Sequence, residues 1–478
     1  MHNKIIPITL LLILCTFFSN EKIIAQFSGD EMPKISSDLF ISNVTIKSQP
    51  GAEYEKTNLL IQNGIIRQIG KEIEAPALAK TIDGEGLKLY SAFINPLSHE
   101  GLKDEEDDAR RSAWRGAPGN TPLSHAGINP QNSIIDEFEL NSRGVERLHK
   151  QGFGIIHVVP RGYVMTGKGS LFLIKEKEDN NSHLLMRETG LFAQWRNMAR
   201  VYPATPLATM VVWRDLISNT RLQLEYSESY KQSPEGKARL NANDQTLALF
   251  PVVKKEQVVY FNVPENRQIL RAVRLAEELD LDIILTNVSQ LDASILSTLP
   301  ENIQFFPDLN WPDHPHEEKT EKSDKEEEKE RPNRKSRRTA EKEEKPEEEK
   351  SLPAGMTEEE YKRLVESRTK EFERRMNLAS ELKDRNALLG FSMLETKTND
   401  LLKNVRALKE FGFSADEILA ALTTDVATHF GIDGITGTVN EGKQAHLVLF
   451  DKSFTEDKAA VQYMIIDGKL FSYKKDEE

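Results

Sequence analysis

Histidine is the side chain best suited to act as acid, base or metal ligand near neutral pH, and the ten histidines of this chain are unevenly spread. His99 closes the stretch SAFINPLSHEGL, residues 91–102, in which the apolar run Ala92-Phe93-Ile94 gives way to Asn95, Ser98 and His99. A buried strand opening into a cluster of ligands has this form, and so does a strand that simply ends in a loop. A metal centre here needs donors from elsewhere, yet no histidine occurs between His183 and His314. His157, inside GIIHVVP, reads as a hydrogen-bonded core histidine. His446, in AHLVLFD, reads as a surface residue, and His429 as a last-turn residue facing the negative pole of its helix. His314 and His316, in DHPHEE, read as part of a solvated charged segment rather than a metal-binding pair. RGYVMTGKGS, residues 161–170, has the glycines and basic residues of an anion cradle but no phosphate-loop pattern, and reads as a flexible loop. Spacing alone yields no Ser-His-Asp or paired-carboxylate arrangement.

The totals bound the remaining possibilities. A chain of 478 residues suits one large domain, or one large and one small. A net charge of -13 with no evident basic face argues against nucleic-acid binding. Lys4 followed by the apolar run Ile5 to Phe18, too short for a comfortable membrane span, reads as a secretory signal peptide over residues 1–25. An exported chain, periplasmic or extracellular, is expected. Cys15 is the only cysteine and lies in that run, so the mature chain has no disulfide, thiolate ligand or cysteine nucleophile.

The elements that must position these residues are legible in outline. Leu39 to Ile46 alternates as a strand, Asn63-Gly64 marks a hairpin, and Asp83-Gly84 marks the next turn. The C-terminus carries similar strands at Ala445 to Phe450 and Val461 to Ile466. Neither end has enough strands for a stable sheet alone. Together, residues 26–90 and 432–478 are expected to form one small composite β-sandwich, with residues 91–431 inserted between them. In that insert, Gly154 to Pro160 reads as a strand buried on both faces, and Thr205-Pro206 as a helix start. Ile269, Ala272, Val273, Ala276 and Leu279 form a helical stripe before the strand Ile283-Ile284-Leu285. Ser414 with Glu417, and Thr357 with Glu360, are capping boxes. Alternating strands and helices predict an α/β fold, most simply a (β/α)8 TIM-like barrel. Of the 38 residues from Asp313 to Lys350, 27 are charged. Such a segment cannot bury enough surface to fold and reads as a disordered insertion within the barrel.

Two blocks then carry a resemblance. LLIQNGIIRQIGKEI with TIDGEGLKLYSAFINPLSH, and DEILAALTTDVATHFGIDGITGTVNEGKQAHLVLFD, resemble the opening and the last helix and returning strand of the amidohydrolase superfamily. Residues 128–175 and VYPATPLATMVVWRDLI are similar to a secreted bacterial branch related to imidazolonepropionase. The resemblance implies a barrel that hydrolyses C–N bonds with zinc or another divalent ion. Its ligands would be a His-x-His pair on the first strand, a lysine carbamate or glutamate on the fourth, histidines on the fifth and sixth, and an Asp on the eighth. Here Leu97 and His99 match the pair, Asn262 and Asn287 match the two later histidines, and Met393 matches the Asp. Lys168 and Lys175 are the nearest candidates for the fourth strand. Asparagine oxygens do not replace imidazole at zinc, and leucine has no lone pair to offer.

The chain is therefore expected to be an amidohydrolase-fold protein without a catalytic metal, an inactive binding or partner subunit with no cofactor. His99 would be a vestigial ligand. A ligand-complete homologue is the expected partner, and Arg161, Asn262 and Asn287 the expected contacts to a small peptide-like or cyclic amide. Two alternatives stand beside this: an active metal-dependent hydrolase of C–N bonds, and a structural envelope module.

Overall fold

The computed structural model describes residues 38–103, 122–175, 183–198, 201–311 and 356–474. Residues 1–25, read above as a signal peptide, the charged segment 313–350 and both its histidines lie outside the described residues. In chain order the strands are β1 (Leu39–Gln49), β2 (Ala52–Gln62), β3 (Ile65–Gly70), β4 (Lys80–Asp83) and β5 (Lys88–Ser91). Then come β6 (Phe93–Ser98), β7 (Phe153–Val158), β8 (Met165–Leu173), β9 (Leu184–Gln194), β10 (Val258–Asn262), β11 (Ile283–Val288) and β12 (Gln304–Pro307). The last three are β13 (Leu447–Phe450), β14 (Val461–Ile466) and β15 (Lys469–Ser472). The helices are α1 (Ser142–His149), α2 (Pro206–Gln232), α3 (Asp244–Val253), α4 (Asn266–Glu278) and α5 (Ala293–Leu296). They continue with α6 (Glu358–Asp384), α7 (Leu401–Ala407), α8 (Ala415–Leu422) and α9 (Thr424–His429). Among the described residues, no helix is long and apolar enough to cross a membrane.

The strands from both chain ends pair in one sheet, ordered β15-β14-β13-β5-β1-β2-β3, with β4 also against β1. The join is antiparallel, β13 on β5, with Val448 opposite Tyr90. Asn63 and Gly64 both take positive φ, 52° and 71°, as a two-residue turn matching the strand twist requires. One face of this sheet buries Leu39, Ile41, Val44, Leu59, Leu447 and Ile465 together.

The second sheet runs β12-β11-β10-β9-β8-β7-β6. Its neighbours are parallel except around β8, which is antiparallel to both β7 and β9. This corrects two expectations. The barrel is not uniformly parallel, and residues 165–173 are a strand buried along its whole length rather than a flexible loop. The glycines that suggested a loop are there for room. A Cβ at Gly169 would collide with His157 Nε2, and one at Gly167 with the backbone of Asn132.

The sheet closes through the segment 387–393. Phe305 N donates to Ala387 O at 2.8 Å, Leu389 N to Phe305 O at 3.0 Å and Ser392 N to Pro307 O at 2.7 Å. Met393 N then reaches Leu97 O at 3.2 Å, joining this segment to β6. Side chains alternate between the inside and the helix layer. Tyr260 meets His157 inside, while Phe261 stacks on Trp213 of α2 outside. The capping signals hold: Thr205 Oγ1 accepts from Ala208 N, and both capping boxes form at Thr357 and Ser414.

Several histidines are structural. His157 donates from Nδ1 to Pro96 O at 2.7 Å and accepts from Thr189 Oγ1 at 2.6 Å. His149 donates to Ile174 O at 2.7 Å and accepts from Tyr473 at 2.8 Å. His446 is not at the surface as expected. It is buried, donating to Gln444 Oε1 at 2.9 Å and accepting from Asp467 N at 3.2 Å. Burial disfavours the imidazolium, pushing His157 down to about 3 and the other two down to about 4. The unfolded chain takes up these protons below about pH 6.5 while the folded chain does not, so stability is lost as pH falls from there towards 4. Each histidine contributes about 1.4 kcal/mol per pH unit across that window. Calorimetry is expected to show the unfolding temperature falling steeply between about pH 6.5 and pH 4.5; a flat profile there would contradict the neutral-histidine interior.

Candidate functional site at the barrel mouth

His99 sits one residue beyond β6, at the C-terminal end of the barrel strands, the face on which such barrels carry their sites. Its Nδ1 lies 2.8 Å from Val159 O, so Nδ1–H donates and Nε2 keeps its lone pair. The ring meets Phe192 edge-on at 6.1 Å. Burial pushes its pKa down to about 4; the carbonyl opposes this, and the charges of Arg161 and Arg196 lower it further. The imidazole is neutral at pH 7. Anchoring one ring nitrogen on a carbonyl is how a metal-binding histidine is held, so the companions decide the matter.

Leu97 is fully buried and Met393 nearly so, both within the barrel's hydrophobic core. The other two residues that the resemblance aligns with ligands are amides. Asn262, at the end of β10, donates through Nδ2 to Gln194 Oε1 at 3.2 Å, and Gln194 Nε2 donates to Gly162 O at 2.7 Å. Asn262 Oδ1 is buried with no hydrogen-bond partner among the described residues, as is Thr286 Oγ1, its register neighbour on β11. Asn287 takes a φ of 58°, a conformation asparagine tolerates better than most residues, and accepts from Ser392 Oγ at 3.5 Å. Asn262 and Asn287 thus lie on adjacent strand ends. Arg161 stands apart from them, lining a cavity of about 200 Å³ with Lys103, Asn132, Ser133 and Glu137. Lys168 pairs with Glu188 at 2.7 Å and Lys175 with Asp467 at 2.9 Å, so both ammoniums are committed elsewhere.

This donor set does not fit a catalytic divalent ion. Among the described residues, no group of three His, Cys, Asp or Glu side chains is placed to hold a metal. The residues that the resemblance aligns with ligands are one imidazole, two apolar side chains and two neutral amides, and the charges of Arg161 and Arg196 reach His99. What the mouth does offer is a row of uncharged polar atoms, two of them lacking a partner among the described residues.

Sequence reasoning missed one group. Asp308 follows β12 directly, accepts from Asn310 N at 2.9 Å and forms a bridge with Ser392. Its carboxyl is buried, with Arg375 at 4.0 Å. Burial pushes it up to about 7, against the lowering effects of the Asn310 amide and Arg375. The signal was present in FFPDLNW, an apolar strand ending in a carboxylate at the same face as His99. Between about pH 4 and pH 7 the folded chain holds a proton here that the unfolded chain has released, so this group costs stability as pH rises. Asp308→Asn keeps the acceptor for Asn310 N. Denaturant titration is expected to find the variant more stable than wild type by about 1–3 kcal/mol at pH 8, with no gap at pH 4. A variant no more stable at pH 8 would contradict the assignment.

Residues 377–471, from α6 through β15, match the Amidohydrolase family. No curated protein matches the chain. Among solved structures, an amidohydrolase from Thermotoga maritima MSB8 aligns over 91% of this chain and 100% of its own, with 19% identity and a TM-score of 0.66. A prolidase complexed with N-methylphosphonate-L-proline aligns over 92% of this chain and 100% of its own, at 13% identity and TM-score 0.48. A β-aspartyl dipeptidase from Fervidobacterium islandicum AW-1 aligns over 93% and 100%, at 11% identity and TM-score 0.44. At these identities the structures speak to fold alone, and the first of them carries that point. The family match thus rests on the C-terminal segment, and the chain as a whole shares the fold of the Thermotoga maritima amidohydrolase.

Proposed function

We propose that this chain is a non-catalytic member of the superfamily that binds a small neutral amide at the barrel mouth. The observation carrying this reading is the pair Leu97 and Met393, two buried apolar side chains joined by a backbone hydrogen bond where metal ligands would stand. The unpartnered oxygens of Asn262 and Thr286 suit the N–H or O–H donors of an amide ligand. In the same reading the barrel counts eight strands with the 387–393 segment, and the joined chain ends make a separate composite β-domain. The protein is exported and works beside a ligand-complete homologue of the imidazolonepropionase-related branch.

A second reading, an active hydrolase, draws support from Asp308, a buried carboxyl with acid–base capacity near pH 7 at this same face. Calorimetric titration with hydantoin, a cyclic amide, separates the two. Binding is expected, weakened about tenfold by Asn262→Leu through loss of one buried hydrogen bond, with no ring opening in the presence or absence of zinc. Zinc-dependent ring opening lost in His99→Ala would establish the second reading instead. For the partner, native mass analysis of the protein drawn from its own envelope fraction is expected to show a hetero-oligomer; a bare monomer would count against it.

A further inference from the structure

A cavity of about 480 Å³ opens at the opposite end of the barrel, within the range of small-molecule sites. The first residues of β10, β11 and β12, Val258, Ile283 and Gln304, line it, so it lies at the N-terminal face. It exists because the crossover from β11 to β12 contains only α5, a four-residue helix, which leaves the base beside α4 uncovered. Its apolar wall includes Val273, Ala276 and Ile303. Its charged lining is Glu277, Asp280 and Asp282 against a single Lys255, which holds Asp280 at 2.6 Å and Asp282 at 3.9 Å. The C-terminal pole of α4 adds partial negative charge at the same place.

His429 also lines this cavity. Its Nε2 lies 2.8 Å from the hydroxyl of Tyr260, which is buried inside the barrel and has no other polar partner among the described residues. The arrangement that satisfies both groups has the hydroxyl donating to Nε2, which puts the ring proton on Nδ1. Nδ1–H makes no hydrogen bond with the described residues. Instead of meeting the helix pole as a cation, the ring stays neutral, burial holding its pKa down to about 4. The cavity therefore offers more carboxylates than cations, an apolar wall and the ring of His429 in its lining.

We propose that this cavity is a second binding site, taking a small organic cation that also carries neutral acceptor oxygens, as an amino sugar or amino alcohol does. The ammonium would meet Glu277 and Asp282, and a ligand oxygen would accept from His429 Nδ1–H. Nuclear magnetic resonance of the histidine rings in the full chain, titrated with glucosamine, tests this. Glucosamine is expected to shift the His429 ring signals, and neutral N-acetylglucosamine to bind about tenfold more weakly. Glu277→Gln with Asp282→Asn, two exposed substitutions, is expected to weaken glucosamine about fivefold, while Asp308→Asn leaves it unchanged. No shift of His429 at the highest soluble glucosamine concentration, or equal binding of both sugars, would overturn the proposal. Because the cavity and the mouth lie at opposite ends of the strands, hydantoin binding and glucosamine binding succeed or fail separately.

Discussion

The barrel of this chain has to be closed between β12 and β6, and a short segment of irregular backbone does it. Residues 387–393 hydrogen-bond to β12 on one side, and Met393 N donates to Leu97 O on the other. Every buried backbone donor must find an acceptor, so this seam is a condition of the fold. It also bears on the chemistry, because the two residues it joins are those that the resemblance to the amidohydrolase superfamily aligns with metal ligands. Leucine and methionine there extend the hydrophobic core to the mouth. Donors would have left the same seam lined with groups needing a metal or water to satisfy them.

The electrostatics follow from the packing. His99, His149, His157, His429 and His446 are all held neutral by burial, and each but His99 and His429 has both ring nitrogens matched to protein partners. Asp308 is driven in the complementary direction, towards its protonated form. The buried imidazoles are thereby uncharged at pH 7. The two ends differ in charge: guanidiniums lie near His99 at the mouth, and carboxylates around the base. A barrel of this kind has opposite tastes at its two openings, favouring uncharged or anionic groups at one and cations at the other.

Much of this was legible in the residues. Asn63-Gly64, Thr205-Pro206 and both capping boxes act through local geometry, so sequence alone suffices to read them. The absence of histidine between His183 and His314 needs no structure to be seen either. What failed were features set by distant neighbours. The glycines of β8 are explained only by the approach of His157 and Asn132. His446 was read as surface because its partners, Gln444 and Asp467, become neighbours only when β13 and β14 pair. Asp308 belongs to no motif, and its raised proton affinity comes from burial that no local pattern reveals. Arg161, placed with Asn262 and Asn287 from sequence, instead lines a separate cavity while its charge still reaches His99.

The central claim is that the mouth cannot hold a catalytic cation, and anomalous diffraction from crystals grown with added zinc tests it most directly. The account predicts no zinc peak at coordination distance, about 2.0–2.1 Å, from His99 Nε2. A peak there with a complete shell of protein and water ligands would contradict it.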